Sequence, residues 1–275
     1  MMLEDHLGDI LRKSRLGLNL SIAEVAKAAG LAESNWAELE QTGRVKQRPA
    51  FAAVAPLLQL DAKKLEGIAG GWTPPPIDTS GWREIRQIST VANDMAVNSY
   101  LVWDEATREA ALFDTGWVAE PVLELIAENQ LNPVHLFLTH SHQDHIAALE
   151  DIRAAFPKIK LHSSSRHAPP VQRNRANDFL HLGSLRLTNR DTPGHAEDGV
   201  TYIIGNFPED GPNAAVVGDA LFSGSMGGAK EHFALAKQKI REQIFSLPGS
   251  TLICPGHGPL TTVEIEKAHN PFFDF

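Results

Sequence analysis

The chain is poor in cysteine: Cys254 is the single one among 275 residues, so no intrachain disulfide can form, and the composition fits a reducing cytoplasm. Nowhere does it offer the roughly 18 uninterrupted apolar residues of a membrane span. Its N-terminus, MMLEDHLGDILRKSR, is acidic and mixed where a secretory leader would be basic and then apolar. Export and membrane insertion are therefore not expected, and the expected location is cytoplasmic. Positive charge is also scarce, 25 Lys+Arg against 34 Asp+Glu for a net charge of -9, which excludes a chain basic all over that would coat DNA. The apolar and charged fractions are those of an ordinary globular chain, which excludes disorder and fibrous classes. Histidine is abundant, with twelve in all.

The length exceeds the roughly 100 to 200 residues of a typical domain, and the stretch GWTPPPIDTSGW supplies a boundary. Its Pro74, Pro75 and Pro76, flanked by Gly71 and Gly81, predict a semi-rigid linker over residues 71–81. Residues 1–70 carry nine Lys+Arg and nine Asp+Glu, so the whole excess of acid falls in the larger segment. In the first segment apolar residues recur at helical spacing in short blocks, Leu3, Leu7, Ile10 and Leu11 in the first and Phe51, Val54, Leu57 and Leu58 in the last, which predicts about five short helices. Ser21 followed by Glu24 is a capping-box pattern, and Gly30 supplies a turn between two of these helices.

After the linker, β-rich runs alternate with helical ones. Strands are predicted over Glu84–Val91, Ser99–Trp103, Ala110–Phe113, Val134–Leu138, Lys158–Leu161, Leu185–Leu187, Val200–Ile204, Ala214–Val217 and Leu252–Ile253. Helices are predicted over Ala119–Asn129, Ile146–Phe156, His232–Ser246 and Thr262–Ala268. The strand Val134–Leu138 runs directly into THSHQDH, which sets His140, His142, Asp144 and His145 at the carboxyl end of an apolar strand, where α/β proteins place their chemistry. Residues two apart in extended chain point to one side, so His140 and His142 can grip one ion while the turn aims Asp144 and His145 at a neighbouring position. His195 in DTPGHAEDG, Asp219 in VVGDALF and His257 in CPGHGPL each follow a strand or a glycine turn and can reach a shared cleft. Five imidazoles and two carboxylates, with no thiolate, form a ligand field suited to Zn²⁺, Fe²⁺ or Mn²⁺.

Residues 82–275 resemble the metallo-β-lactamase superfamily, most closely its glyoxalase II-like members, and the ending TTVEIEKAHNPFF is similar to that of short hydrolases of this kind. The resemblance implies an α/β fold, a four-layer αββα metallo-β-lactamase sandwich, with His140, His142 and His195 on a first metal, Asp144, His145 and His257 on a second, and Asp219 bridging. It implies two divalent metal ions, zinc before iron or manganese, and hydrolysis of a small thioester or ester by a hydroxide held between them, with Asp144 orienting that hydroxide. Persulfide dioxygenases share much of the motif with a single iron, which leaves an oxygenase as an alternative. Glyoxalase II carries a basic residue in the loop after the bridging aspartate. Here that position is Gly228, with Lys230 nearby, so glutathione is not the expected substrate.

The segment LGDILRKSRLGLNLSIAEVAKAAGLAESNWAELEQTGR resembles the Cro/repressor-like helix-turn-helix family, which implies a small all-α helix-turn-helix bundle before the sandwich. The helix that would read DNA, Ala32–Gln41, carries Glu33, Glu38 and Glu40 and no Lys or Arg. Weak DNA binding through Arg12, Lys13, Arg15, Arg44, Lys46 and Arg48 is one expectation; a dimerisation or docking module, giving a homodimer, is the other. A regulator whose metal domain senses a ligand is the alternative to the enzyme. Because every candidate ligand lies after the linker, the chemistry is expected not to need residues 1–70. The seven histidines outside the motif, His6, His135, His162, His167, His181, His232 and His269, are expected to be structural, and Cys254 to be a small buried apolar group.

Overall fold

The amphipathic blocks before the linker form five helices, α1 (Leu7–Gly17), α2 (Ile22–Ala29), α3 (Glu33–Thr42), α4 (Phe51–Leu57) and α5 (Ala62–Ala69), in a computed structural model that describes residues 3–44, 46–175, 177–208 and 211–275. The start of α2 is the expected capping box, with the Ser21 side chain accepting from Glu24 N and the Glu24 side chain accepting from Ser21 N. Gly30 ends α2 at φ 69°, a left-handed conformation that costs glycine little. His6 caps α1 in a box of its own with Asp9, which is a structural use of that histidine.

The first helix and α3 are locked by an ion pair between a partly buried arginine and a buried glutamate. Arg15 donates from Nε and Nη2 to the two Glu40 oxygens, at 2.6 and 2.7 Å, and Trp36 Nε1 donates to the same carboxylate at 2.6 Å. Glu40, one of the three acids expected to face DNA, is therefore an inner residue, and only Glu33 and Glu38 of that set lie outside the core. Two of the cations expected to meet phosphate also point inward, Arg15 to Glu40 and Lys13 to Asp5 and the Met226 carbonyl.

The remainder builds two sheets. The first, in the order β1 (Ile85–Ala92), β2 (Met95–Trp103), β3 (Glu109–Phe113), β4 (Asn132–Phe137) and β5 (Lys160–His162), starts antiparallel and becomes parallel from β3 onward. Its parallel crossovers are α6 (Glu120–Glu128) and then α7 (Gln143–Ile146) with α8 (Leu149–Ala155). The second sheet contains β6 (Phe179–Leu182), β7 (Leu185–Asp191), β8 (Val200–Gly205), β9 (Ala214–Gly218), β12 (Leu252–Pro255) and β13 (Thr261–Thr262), ordered β13-β12-β9-β8-β7-β6. Between β9 and β12 lie a two-stranded hairpin, β10 (Leu221–Phe222) with β11 (Ser225–Met226), and α9 (Phe233–Lys239), which continues as one π-helical turn over Ile240–Ile244. The last helix is α10 (Val263–His269).

Strand periodicity sorts the side chains into layers. In β2, Tyr100 and Val102 face inward to meet Leu187, Tyr202 and Val216 of the second sheet, while Leu101 and Trp103 face outward under Val122 and Ile126 of α6 and Ile152 of α8. On the far side Ile203, Ala215, Val217 and Ile253 pack under Ile240, Ile244 and Phe273. Three apolar seams thus separate four layers, helix, sheet, sheet, helix. Cys254 is wholly buried in the central seam, as expected of a small apolar group.

Several local expectations are corrected. The helix expected over Ile146–Phe156 is two helices, because the turn that carries Asp144 and His145 is itself the short α7. The strands β6, β10, β11 and β13 escaped notice, three of them being only two residues long. Residues 73–79 have no regular structure. The helices before them are nevertheless not free-standing: Leu11, Val25, Trp36 and Phe51 belong to the same buried cluster as Ile240, Phe272 and Phe273. A Cβ on Gly17 would fall 2.5 Å from the Phe233 ring, so α1 and α9 touch backbone to side chain.

Candidate metal centre

Five strand ends from both sheets converge at one edge of the sandwich. The chain leaves β3 into Asp114, β4 into His140, His142, Asp144 and His145, β7 toward His195, β9 into Asp219 and β12 into His257. All seven ligand candidates of the sequence meet there. His140, His142 and His195 form one group with ligand atoms within 4.8 Å of one another, Asp144, His145 and His257 a second, and His140, His145 and Asp219 a third. Asp219 stands between the first two groups: its Oδ2 lies 3.4 Å from His195 Nε2 and 3.3 Å from His257 Nε2, and its Oδ1 lies 3.2 Å from His145 Nε2. Gly256 makes room for this meeting, since a Cβ there would fall 2.3 Å from Asp219 Oδ1 and 2.6 Å from His145 Cε1.

The hydrogen bonds fix which ring nitrogen each imidazole presents. His145 Nδ1 donates to Asp114 Oδ2 at 2.7 Å, His257 Nδ1 to the Ala96 carbonyl at 2.5 Å and His195 Nδ1 to the Gly228 carbonyl at 3.0 Å. Thr139 Oγ gives its proton to Asp114 and so accepts from His140 Nδ1 at 3.1 Å. Four rings are thereby held by Nδ1 and turn Nε2 inward. His142 is the exception and presents Nδ1, which lies 3.0 Å from both His140 Nε2 and His195 Nε2.

Asp114 was not among the sequence candidates. It accepts from Thr139 N at 2.7 Å, from Thr139 Oγ and from His145 Nδ1, and its backbone turns at φ 56° to do so. The signal was present, an apolar strand Ala110–Phe113 running into Asp-Thr-Gly, the same strand-end pattern that singled out the histidines. The turn bearing His257 has comparable support, with Asn98 Nδ2 donating to the Pro255 and Gly258 carbonyls and Tyr100 OH to Pro255.

Electrostatics divide the rings. Burial, aided by neighbouring His145, pushes His140 down to about 2. Burial also opposes charge on His145, but Asp114 and Asp219 outweigh it and push that ring up to about 10. His257 goes up to about 11 because Asp144 and Asp219 outweigh its burial. Burial would raise Asp219, yet the His145 and His257 rings beside it hold its carboxyl well below the usual range. His145 and His257 are thus protonated at the Nε2 that faces Asp219 and Asp144, and these carboxylates need positive charge beside them.

A cation meets that need. Three inward nitrogens of His140, His142 and His195 stand 3.0 Å apart in succession with at most one proton to share, and ligands about 2.1 Å from a common ion in tetrahedral array stand about 3.4 Å apart. His145 Nε2 and Asp219 Oδ1, both buried, face each other at 3.2 Å without a well-formed hydrogen bond, and a divalent cation would take the place of the proton between them. The residues present fit divalent metal ions.

On the solvent side, His142 and His195 open onto a cavity of about 380 Å³ whose other walls include Ser164, Ser165, Arg166, His167 and Glu197. Arg166 pairs with Glu197 across it at 3.3 Å. His167, read from sequence as structural only, thus lies at the cleft. A larger cavity of about 770 Å³, between α4 and α9, touches none of the histidines of the centre.

Residues 92–257 match the sequence model of the Metallo-beta-lactamase superfamily. The chain is 27% identical over 202 residues to hydroxyacylglutathione hydrolase GloC of Haemophilus influenzae, covering 64% of this chain and 92% of that one. It is 31% identical over 188 residues to the mitochondrial persulfide dioxygenase ETHE1 of Homo sapiens, covering 63% and 70%. The crystal structure of TTHA1623 in a di-iron-bound form superposes with a TM-score of 0.52 at 27% identity, covering 68% of this chain and 100% of that one. The two named enzymes differ in reaction, one a hydrolase and the other a dioxygenase. The match over most of the sandwich, together with the histidine and aspartate groups at its edge, makes this chain a member of the metallo-β-lactamase superfamily.

Proposed function

We propose that the protein is a metal-dependent hydrolase of a small thioester or ester, holding two divalent cations, zinc first among them, on His140, His142 and His195 and on Asp144, His145 and His257, with Asp219 shared. The observation that carries the reading is the pair of three-ligand groups joined by one carboxylate, a ligand set for two ions rather than one. Two such cations lower the pKa of a water between them and polarise a carbonyl, which makes a Ser or Cys nucleophile unnecessary. That fits this chain, whose one cysteine is buried in the central seam.

The chain's own residues supply orientation and proton handling. Asp114 and the Ala96 and Gly228 carbonyls hold the imidazoles so that the ligand nitrogens need no reorganisation. Asp144, with a side chain 13% exposed and Oδ2 at 3.1 Å from His257 Nε2, is placed at the solvent side of the second group to orient a water and take its proton. The serines and Arg166 beside His142 provide polar partners for the acyl portion of a substrate.

For the helices before the linker, a helix-turn-helix built from α2 and α3 remains a proposal, with weak DNA contact as its corollary. The inward turn of Lys13 and Arg15 removes two of the six cations expected to meet phosphate.

Metal analysis of the purified protein with a screen of thioesters and esters tests the reading. Metal-dependent turnover of either class is expected. A single iron per chain with oxygen consumed on addition of a persulfide would replace the hydrolase by the oxygenase.

A further inference from the structure

Directly after Asp219 the chain forms the β10–β11 hairpin, and its return passes between two of the proposed ligands. A Cβ on Gly227 would fall 1.9 Å from the Asp219 carbonyl and 2.9 Å from His195 Nδ1, and the next carbonyl, Gly228, receives the His195 Nδ1 proton at 3.0 Å. The position of this hairpin therefore sets where Asp219 and His195 stand.

The helical segment grips the hairpin from one side. Asp5, 7% exposed, accepts from Ser225 Oγ at 2.5 Å and pairs with Lys13, and Lys13 Nζ donates to the Met226 carbonyl at 2.9 Å. Lys13 Nζ also lies over the Phe222 ring, 5.0 Å from its centre, and Phe222 meets the His257 ring edge-on at 5.7 Å. At the tip, a Cβ on Gly224 (φ 71°) would fall 3.0 Å from the Trp72 ring. From the other side α10 completes the grip, Gly224 N donating to Glu266 at 2.9 Å and Asn270 Nδ2 to the Ser225 carbonyl at 2.8 Å. The chain before α1 also runs against the turn after His257, where a Cβ on Gly258 would come within 3.1 Å of Glu4 N.

We propose that Asp5 and Lys13 are positioning residues of the metal centre: through Ser225, Met226 and Phe222 they fix the hairpin that holds Asp219 and His195 and backs His257, so the helical segment is part of the catalytic unit and not a module tied to it. The proposal rests on the metal-binding reading of those ligands. The buried Asp5 carboxylate is paired with a partly exposed Lys13 ammonium, and the hydrogen bonds that both make to Ser225 and Met226 hold the hairpin with them. Groups that hydrogen-bond a metal ligand directly are worth about 10- to 100-fold in metal affinity, and Asp5 and Lys13 act one contact further out.

The test uses the full-length protein stripped of metal and titrated with zinc against a chromophoric chelator. Asp5→Asn and Lys13→Met are each expected to weaken zinc binding by about 3- to 10-fold, below the effect of losing a direct partner of a ligand, and Ser225→Ala, the mildest change, by a smaller factor. Lys64→Met is the control. Lys64 ties the same helical segment to the C-terminal tail through the Lys267 and Phe273 carbonyls, away from the hairpin. It should lower the melting temperature and leave zinc affinity within twofold. Asp5→Asn and Lys13→Met proteins that bind zinc like the wild type, or a Lys64→Met protein that loses as much affinity as they do, would overturn the proposal, because the clamp would then be ordinary packing. Wild-type zinc binding with no hydrolysis overturns the functional reading alone, whereas no zinc binding by the wild type overturns both.

Discussion

His145 Nδ1 lies 2.7 Å from Asp114 Oδ2 in a pocket closed to solvent, and this bond decides the character of the centre. It commits Nδ1 of His145 as a donor and turns Nε2 toward Asp219. Replacing Asp114 by Asn leaves the shape and removes the charge, and Asp114→Asn is expected to lower metal affinity by about 10- to 100-fold. Equilibrium titration of the variant with zinc checks this; an affinity within twofold of the wild type would show that His145 is held by its packing alone.

Loss of metal should also loosen the fold. The ligands come from β4, β7, β9 and β12, so bound cations tie one sheet to the other. Free metal at about 100 times its dissociation constant stabilises by about 2.7 kcal/mol, which for a chain of this size corresponds to a rise of roughly 5–10 °C. Calorimetry before and after chelation measures it, and a melting transition unmoved by complete metal removal would contradict the coupling.

Glu40 provides a prediction for the helical segment. Glu40→Ala leaves the partly buried Arg15 without its partner and takes the acceptor from the buried Trp36 indole, and about 2 kcal/mol of stability should be lost. Denaturant unfolding tests this. With Lys13 and Arg15 engaged inside, four of the six cations remain, and duplex DNA should bind with a slope of log affinity against log salt no steeper than about -4. A steeper slope in a salt titration would mean that another basic face meets the phosphates.

Glu266 is wholly buried, and burial pushes its carboxyl up to about 7 although Asn270, Thr261 and Gly224 N hydrogen-bond to it. A raised carboxyl binds its proton more tightly folded than unfolded, so its contribution falls as pH rises from about 4.5 to 7. The stability of Glu266→Gln relative to wild type should therefore increase across that window, by up to about 3 kcal/mol. A difference that does not vary with pH would show that the carboxylate is ionised throughout.

Much of the centre was legible because its ligands follow apolar strands in short motifs: His140 to His145 lie within one turn, and His195, Asp219 and His257 each follow a strand or glycine turn. Asp114 carried the same mark and was missed because a single acid at a strand end has no neighbour to flag it. The two-residue strands of the Leu221–Met226 hairpin are too short for alternation to register. The union of the early helices with α9 and the C-terminal tail was also out of reach. Amphipathic spacing says that Leu11 and Trp36 are buried, and it does not say that Phe233 and Phe272 help to bury them. For the same reason Lys13 and Arg15 read as surface cations, since their partners Asp5, Met226 and Glu40 are brought near only by the fold.

The central claim is that two cations held together by Asp219 perform hydrolysis. The most direct test is the initial rate of thioester and ester hydrolysis by metal-free protein as zinc is added in measured equivalents, with Asp219→Ala run beside it. The rate should climb to a plateau at two equivalents per chain, and Asp219→Ala should retain only a small fraction of it. A plateau at one equivalent, full activity in Asp219→Ala, or no hydrolysis at any loading would contradict the account.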